Sequence, residues 1–201
     1  MDCPLLPLSC HRPPPRTPGR PTARRPTPVS RTARFILPGF PHHVTHRGHR
    51  GEDVFLSDLH HQRHLVWLAE SARRYALRVW AYCLMRNHLH LVAVPDDGQS
   101  FANVMRLTQM KHTQALNDEG GSEGRLWHGR YYSCPLDDAH LWDAVRYVER
   151  NPVRAGIVDR AEVHSWSSAP AHCGFANRPG PRGRSASHWE AGGLGRVAVR
   201  P

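Results

Sequence analysis

Two apolar runs dominate the middle of the chain: Leu77–Leu84 (LRVWAYCL) and His88–Val94 (HLHLVAV). Only Met85-Arg86-Asn87 separates them, and Pro95-Asp96-Asp97-Gly98 closes the second. Both runs are rich in aromatic and β-branched residues and are too short for packed helices, so they read as an antiparallel hairpin. Side chains alternate across a strand, which puts His88 and His90 on one face and Leu89 and Leu91 on the other. A hairpin this apolar needs a larger sheet and helices to cover it.

The flanking segments supply both. His42–Arg47 (HHVTHR) is β-compatible, entered through Pro38-Gly39 and Pro41 and left through Gly48, with Val54–Leu56 as an extension. Ser57 is placed to cap a helix over 58–75, whose Leu65, Leu68, Ala72 and Tyr75 keep the 3–4 spacing of one buried stripe. A second helix is predicted over 100–116, with Val104, Leu107, Met110 and Ala115 loosely periodic and Gly120-Gly121 ending it. Leu126–Pro135 reads as a short extended stretch. Asp137 or Asp138 then caps a third helix over 139–150, and Pro152 disfavours helical geometry at Asn151. The order β-α-β-β-α-(β)-α describes an α+β fold, one antiparallel sheet with helices packed on it.

A chain of 201 residues holds one such domain with tails. The net charge of +10 invites a nucleic-acid partner. Its distribution weakens that shortcut: residues 1–34 carry seven Arg against one Asp, residues 170–201 five Arg against one Glu, and 35–169 balance at 15 of each sign. Residues 1–33, Pro- and Arg-rich, and 173–201, Gly-, Pro- and Arg-rich, are expected to be disordered tails around a domain at 34–172. The five cysteines include no CxxC pair, which argues against a disulfide framework or zinc knuckle and for a reducing cytoplasm. No run approaches the roughly 18 apolar residues of a membrane span, and the N-terminus lacks the apolar core of a secretory signal.

Two places in this domain can carry chemistry. His88 and His90, about 7 Å apart along one strand face, can converge on one ion, leaving it open to a further ligand, water and substrate. A bare His-x-His is nonetheless more often a pair of ordinary strand histidines. On the third helix, Leu141, Val145 and Val148 form the buried stripe, Tyr147 lies at its edge, and Asn151 follows one turn later. By spacing alone this remains an aromatic at a core rim followed by an Asn-Pro breaker.

Read together, several blocks resemble a known family. They are Pro38-Gly39-Phe40-Pro41-His42-His43-Val44-Thr45 with Arg47-Gly48, Trp80–Met85, Asn87-His88-Leu89-His90-Leu91, Leu126–Arg130, Arg146–Gly156 and Trp166-Ser167-Ser168. In that order, over roughly 35–172, the chain resembles the single-tyrosine HUH transposases, and within them the REP-associated tyrosine transposases. Arg86 departs from the pattern, where a proline often precedes Asn-His, and His46 and His49 stand where uncharged polar residues are more usual. The resemblance implies a ferredoxin-like, RRM-type sheet with the HUH strand, and the nucleophile on a later helix. It implies His88 and His90 as metal ligands with Asn151 as the third, and Tyr147 as nucleophile. The metal would be Mg²⁺ or Mn²⁺, although imidazole alone favours softer ions.

The implied reaction nicks and rejoins single-stranded DNA near hairpins through a 5′-phosphotyrosine, by a monomer or homodimer. Arg47, Arg50, Arg130, Arg146 and Arg154 are candidates for phosphate contacts. Tyr131 and Tyr132 are competing tyrosines, one of which is expected to pack. His42, His43 and His46 read as a strand beside the substrate groove rather than a second metal site. The rival readings are an RRM-like nucleic-acid-binding module without catalysis and a small zinc hydrolase.

Overall fold

A computed structural model describes residues 34–121 and 123–175. The predicted tail at 1–33 lies outside the described residues, as does all but 173–175 of the C-terminal one.

The hairpin forms as expected: β2 (Leu77–Met85) pairs antiparallel with β3 (His88–Pro95), with Met85 opposite His88. β1 (His42–Arg47) pairs with the other edge of β3, and β4 (Tyr132–Pro135) adds outside β1. The order β2-β3-β1-β4 is the ferredoxin-like arrangement, with β3, the strand of His88 and His90, in the interior of the sheet. That position explains its composition, since every β3 residue except His88 is buried.

α1 (Asp58–Arg74) and α2 (Ser100–Gly120) cover one face. Leu68 and Ala72 of α1 and Phe101, Val104 and Met105 of α2 pack on Val44, Leu89, Leu91 and Leu84. The opposite face belongs to α3 (Asp138–Glu149), whose Leu141, Val145 and Val148 pack on Ala81, Cys83, Met85 and Val92. A β-bulge between Val79 and Ala81 lets β2 serve both layers. Leu77 and Val79 point to the first core before it, and Ala81, Cys83 and Met85 to the second after it. The extra residue inverts the alternation that would otherwise run the length of the strand.

The helix caps follow the sequence. Ser57 Oγ accepts the His60 amide at 3.3 Å and Asp137 Oδ1 the His140 amide at 2.9 Å. α2 runs to Gly120, four residues past the predicted end, and Gly121 closes it in the left-handed region at φ 58°.

Three expectations are corrected. Val54–Leu56 does not extend β1: the Val54 and Phe55 amides both donate to the Arg86 carbonyl, at 2.7 and 2.9 Å, tying this segment to the hairpin turn. The buried stripe of α2 is not Val104, Leu107, Met110 and Ala115; it is Phe101, Val104, Met105, Thr108, Gln109 and His112, with Met110 exposed. Asn151 is not left non-helical. α3 ends at Glu149, and a separate turn, α4 (Asn151–Arg154), begins at Asn151 with Pro152 in its first turn, where a missing amide costs nothing.

Candidate active site

The register of the sheet decides which histidines meet. Directly opposed residues in antiparallel strands present side chains to one face. Thr45 lies opposite His90, Arg47 opposite His88, and His43 opposite Val92. His43, Thr45 and Arg47 therefore share the α3 face with His88 and His90, while His42 and His46 turn to the other layer. α3 delivers Tyr147 to this face from its rim, 36% exposed, and α4 delivers Asn151 and Arg154.

The result is one cluster. Asn151 Nδ2 donates to His90 Nε2 at 3.1 Å, and His43 Nε2 lies 3.0 Å from His90 Nδ1. The His43 and His90 rings stack at 5.3 Å between centroids. The Tyr147 ring meets both edge-on, 5.9 Å from His43 and 5.7 Å from His90. The Arg154 guanidinium carbon sits 4.9 Å from the centre of the Tyr147 ring, a cation–π geometry. The His88 ring is 4.9 Å from that of His90.

The polar partners fix how the imidazoles are used. Asn87 Nδ2 donates to the Gly51 carbonyl, so Asn87 Oδ1 is the atom facing His88 Nδ1 at 2.6 Å, and His88 Nδ1–H donates to it. His90 Nε2 accepts from Asn151, so its proton belongs on Nδ1, toward His43. Both rings thus keep an Nε2 lone pair on the site side, with Nδ1–H held from behind. Burial pushes His88 down to about 4 and His90 to about 3, with Arg47 adding to both shifts and neighbouring histidines to that of His90. Both are neutral at neutral pH. Two neutral imidazoles and an amide fit a divalent cation: rotating the Asn151 side chain by a half turn presents Oδ1 where Nδ2 now points. Among the described residues no three His, Cys, Asp or Glu side chains converge on a point, so an ion here would need the amide as third protein ligand.

The structure brings together His88, His90, Asn151 and Tyr147, with Arg47 at the end of β1 and Arg154 over the tyrosine. Arg50 is exposed in the turn after Gly48, with φ 55°, and Arg130 is exposed before β4. Arg146 lies beside Tyr147 in sequence but faces solvent, 3.7 Å from Asp143. Of the competing tyrosines, Tyr131 is buried under the Arg34 guanidinium, 3.7 Å from its ring centre. Tyr132 is exposed and lies opposite Thr45, which places it on the site face but two strands from His90.

Of His42, His43 and His46, expected on a strand beside the substrate groove, His43 alone turns to the site. Spacing does not single out Glu149, whose Oε1 accepts from Ser168 Oγ and His172 Nδ1, both at 2.6 Å, pinning the C-terminal segment to the end of α3. The Ser168 amide also donates to the Tyr82 carbonyl, at 3.0 Å, so the clamp reaches the sheet. Its sequence signal is Trp166-Ser167-Ser168, which in isolation resembles any polar turn.

Known proteins agree with this architecture. The model of the family described as "Transposase IS200 like" matches residues 41–151, and the chain belongs to that family. No curated protein sequence matches it. A REP-associated tyrosine transposase solved bound to a REP hairpin is similar in fold, with a TM-score of 0.62 and 18% identity over 75% of this chain and 89% of that one. A Deinococcus radiodurans protein assigned as a candidate transposase matches at a TM-score of 0.42 and 16% identity, over 60% of this chain and 97% of that one.

Proposed function

We propose that the protein nicks and rejoins single-stranded DNA beside a hairpin, with Tyr147 as nucleophile, in the manner of a REP-associated tyrosine transposase. The observation that carries this is the meeting of Tyr147, from α3, with His90 of β3, whose ring also touches His88 and accepts from the amide of Asn151. Membership of a transposase family and likeness of fold to a hairpin-bound relative support the choice of substrate.

In this reading, Nε2 of His88 and His90 and Oδ1 of Asn151 would hold a divalent ion. A bound Mg²⁺ or Mn²⁺ supplies polarisation of the scissile phosphate and offsets charge as the transition state forms. The Tyr147 hydroxyl attacks phosphorus; the bond to the 3′ oxygen breaks, leaving a 5′-phosphotyrosine and a free 3′-OH. The hydroxyl proton leaves to solvent and the 3′ oxygen takes one up. The covalent link conserves the phosphodiester, so a 3′-OH attacks it in the second step, Tyr147 departs, and no nucleotide cofactor is needed. Arg154 holds the ring and favours negative charge on the phenol oxygen. Arg47, beside His88, is placed to meet a flanking phosphate, and Arg50, Arg130 and Arg146 serve the DNA farther out.

The test uses hairpins with single-stranded flanks taken from the protein's own genomic surroundings. Cleavage should require Mg²⁺ or Mn²⁺. Replacing His88 and His90 together by Ala should abolish it while leaving hairpin affinity within a few-fold. Full divalent-dependent cleavage by the double variant contradicts the metal assignment. Binding of hairpins without cleavage by the unsubstituted protein favours a binding module instead.

A further inference from the structure

We infer that His43 is a positioning residue for His90: it accepts the Nδ1–H of His90 and thereby keeps the Nε2 lone pair of that ring turned into the site. The consequence for metal binding rests on the reading above; the positioning itself does not.

The geometry has three parts. The His43 Nε2 to His90 Nδ1 distance, 3.0 Å, is that of a hydrogen bond. The rings lie nearly parallel, 14° apart, so contact is made along the ring edges and faces together and fixes the tilt of His90 as well as its tautomer. The other nitrogen of His90 is engaged by Asn151 on the far side, so the ring is held at both ends. Free imidazole divides between two neutral tautomers, and the Nε2–H form would offer a proton to the site in place of a lone pair. An acceptor behind Nδ1 removes that choice. Ordinarily a carboxylate, carbonyl or water is the acceptor behind a metal-binding histidine. Here it is an imidazole, which must itself be neutral to accept. It sits on β1, half-buried, facing Val92 across the ladder.

His43 has a second contact that a structural histidine would not need. Its ring meets Tyr147 edge-on, so the same side chain touches the proposed nucleophile and a proposed ligand. A change of its orientation moves both.

Histidine-selective ¹⁵N NMR on the full chain tests this at pH 7.5 without metal, alongside Mn²⁺ titration by electron paramagnetic resonance. In the unsubstituted protein His90 should be the Nδ1–H tautomer. His43→Phe keeps a flat ring against His90 and Tyr147 but offers no acceptor. It should shift His90 toward the Nε2–H form and weaken Mn²⁺ binding by about 10–100-fold. His43→Gln, whose amide oxygen can accept the same bond, should recover most of both properties. If His43→Phe does not fold, the tautomer in the unsubstituted protein and in His43→Gln decides the matter. An Nε2–H His90 in the unsubstituted protein overturns the inference, as does a His43→Phe protein with unchanged tautomer and affinity. An Nδ1–H His90 that responds to His43→Phe, in a protein that binds no Mn²⁺, upholds the positioning and sinks the metal reading alone.

Discussion

At the scale of single residues, Tyr147 is distinguished from the other candidate tyrosines by what surrounds it. Tyr131 is buried in packing, and Tyr132 stands exposed on an edge strand. Tyr147 has two histidine rings and a guanidinium around its own. In the proposed reaction, the cation over the ring stabilises a developing phenolate by an amount set by cation–π energies. Arg154→Ala should therefore slow adduct formation by roughly 2- to 30-fold, the range of about 0.5–2 kcal/mol, with Arg154→Lys intermediate. Single-turnover rates on saturating hairpin DNA check this. An Ala variant as fast as the unsubstituted protein would show that the guanidinium contributes nothing to the step.

Among the elements, the turn after β1 is the tightest place in the site's support. Gly48 has an ordinary φ of −59°, so conformation does not demand glycine there; space does. A Cβ would fall 2.1 Å from the Glu52 carbonyl oxygen and 2.8 Å from a Val54 methyl. The Gly48 amide donates to the Asn87 carbonyl at 2.8 Å, directly beside His88. Gly48→Ala should destabilise the fold by about 1–3 kcal/mol, the usual range for overpacking a close contact, read as a lower urea midpoint. An unshifted midpoint would contradict the close approach.

Much at this scale is legible in the sequence, because it depends on local pattern. Alternation gives the hairpin and the shared face of His88 and His90, and the 3–4 spacing gives the α3 stripe of Leu141, Val145 and Val148. Pairing register is not local. His42, His43 and His46 look alike in sequence. Only the alignment of β1 on β3 sends His43 to the site and the other two to the opposite core. The α2 stripe is hidden for a different reason: His112 Nε2–H donates to the Val54 carbonyl at 2.7 Å, so a polar residue fills an apolar position through a partner 58 residues away. Val54–Leu56 looks like a strand extension because its partner, the Arg86 carbonyl, lies in the hairpin turn. The Tyr147–Asn151 pair acquired meaning from the family resemblance, since spacing alone favoured a core-rim aromatic.

Across the whole molecule, histidines are packed into the layer opposite the site, where α1 and α2 meet the sheet. His46 and His112 are pushed down to about 4 by burial, and the fully buried His64 well below its ordinary value. In the unfolded chain each titrates near 6.5, so between about 6.5 and 4 the unfolded state binds more protons than the folded one. Their contribution to stability is whole above pH 6.5 and is lost as the pH falls through that window. His172 opposes them: its bond to Glu149 raises it, so its contribution is present below 6.5 and lost as pH rises through its folded value. The lowered histidines outnumber it, since burial also lowers His42, His61 and His164. The urea midpoint should drop between pH 7 and pH 5, with a slope of order 1 kcal/mol per pH unit for each buried histidine. An equal midpoint at both pH values would mean these rings are protonated in the fold. Among the described residues no helix is long and apolar enough to cross a membrane, and the three cysteines there are free.

In the proposed reaction DNA becomes joined to Tyr147, and the sequence makes that link directly measurable. Trypsin cleaves after Arg130, Arg146 and Arg150, so Tyr147 falls in the tetrapeptide 147–150 and both Tyr131 and Tyr132 fall in 131–146. The protein is incubated with Mn²⁺ and a hairpin substrate; the adduct is recovered under denaturing conditions, digested with nuclease and trypsin, and sequenced by mass spectrometry. The expected product is the 147–150 peptide carrying a 5′-linked nucleotide on its tyrosine, absent from the Tyr147→Phe protein, which should still fold and still bind the hairpin. A nucleotide on the 131–146 peptide, or an adduct that survives Tyr147→Phe, would contradict the assignment.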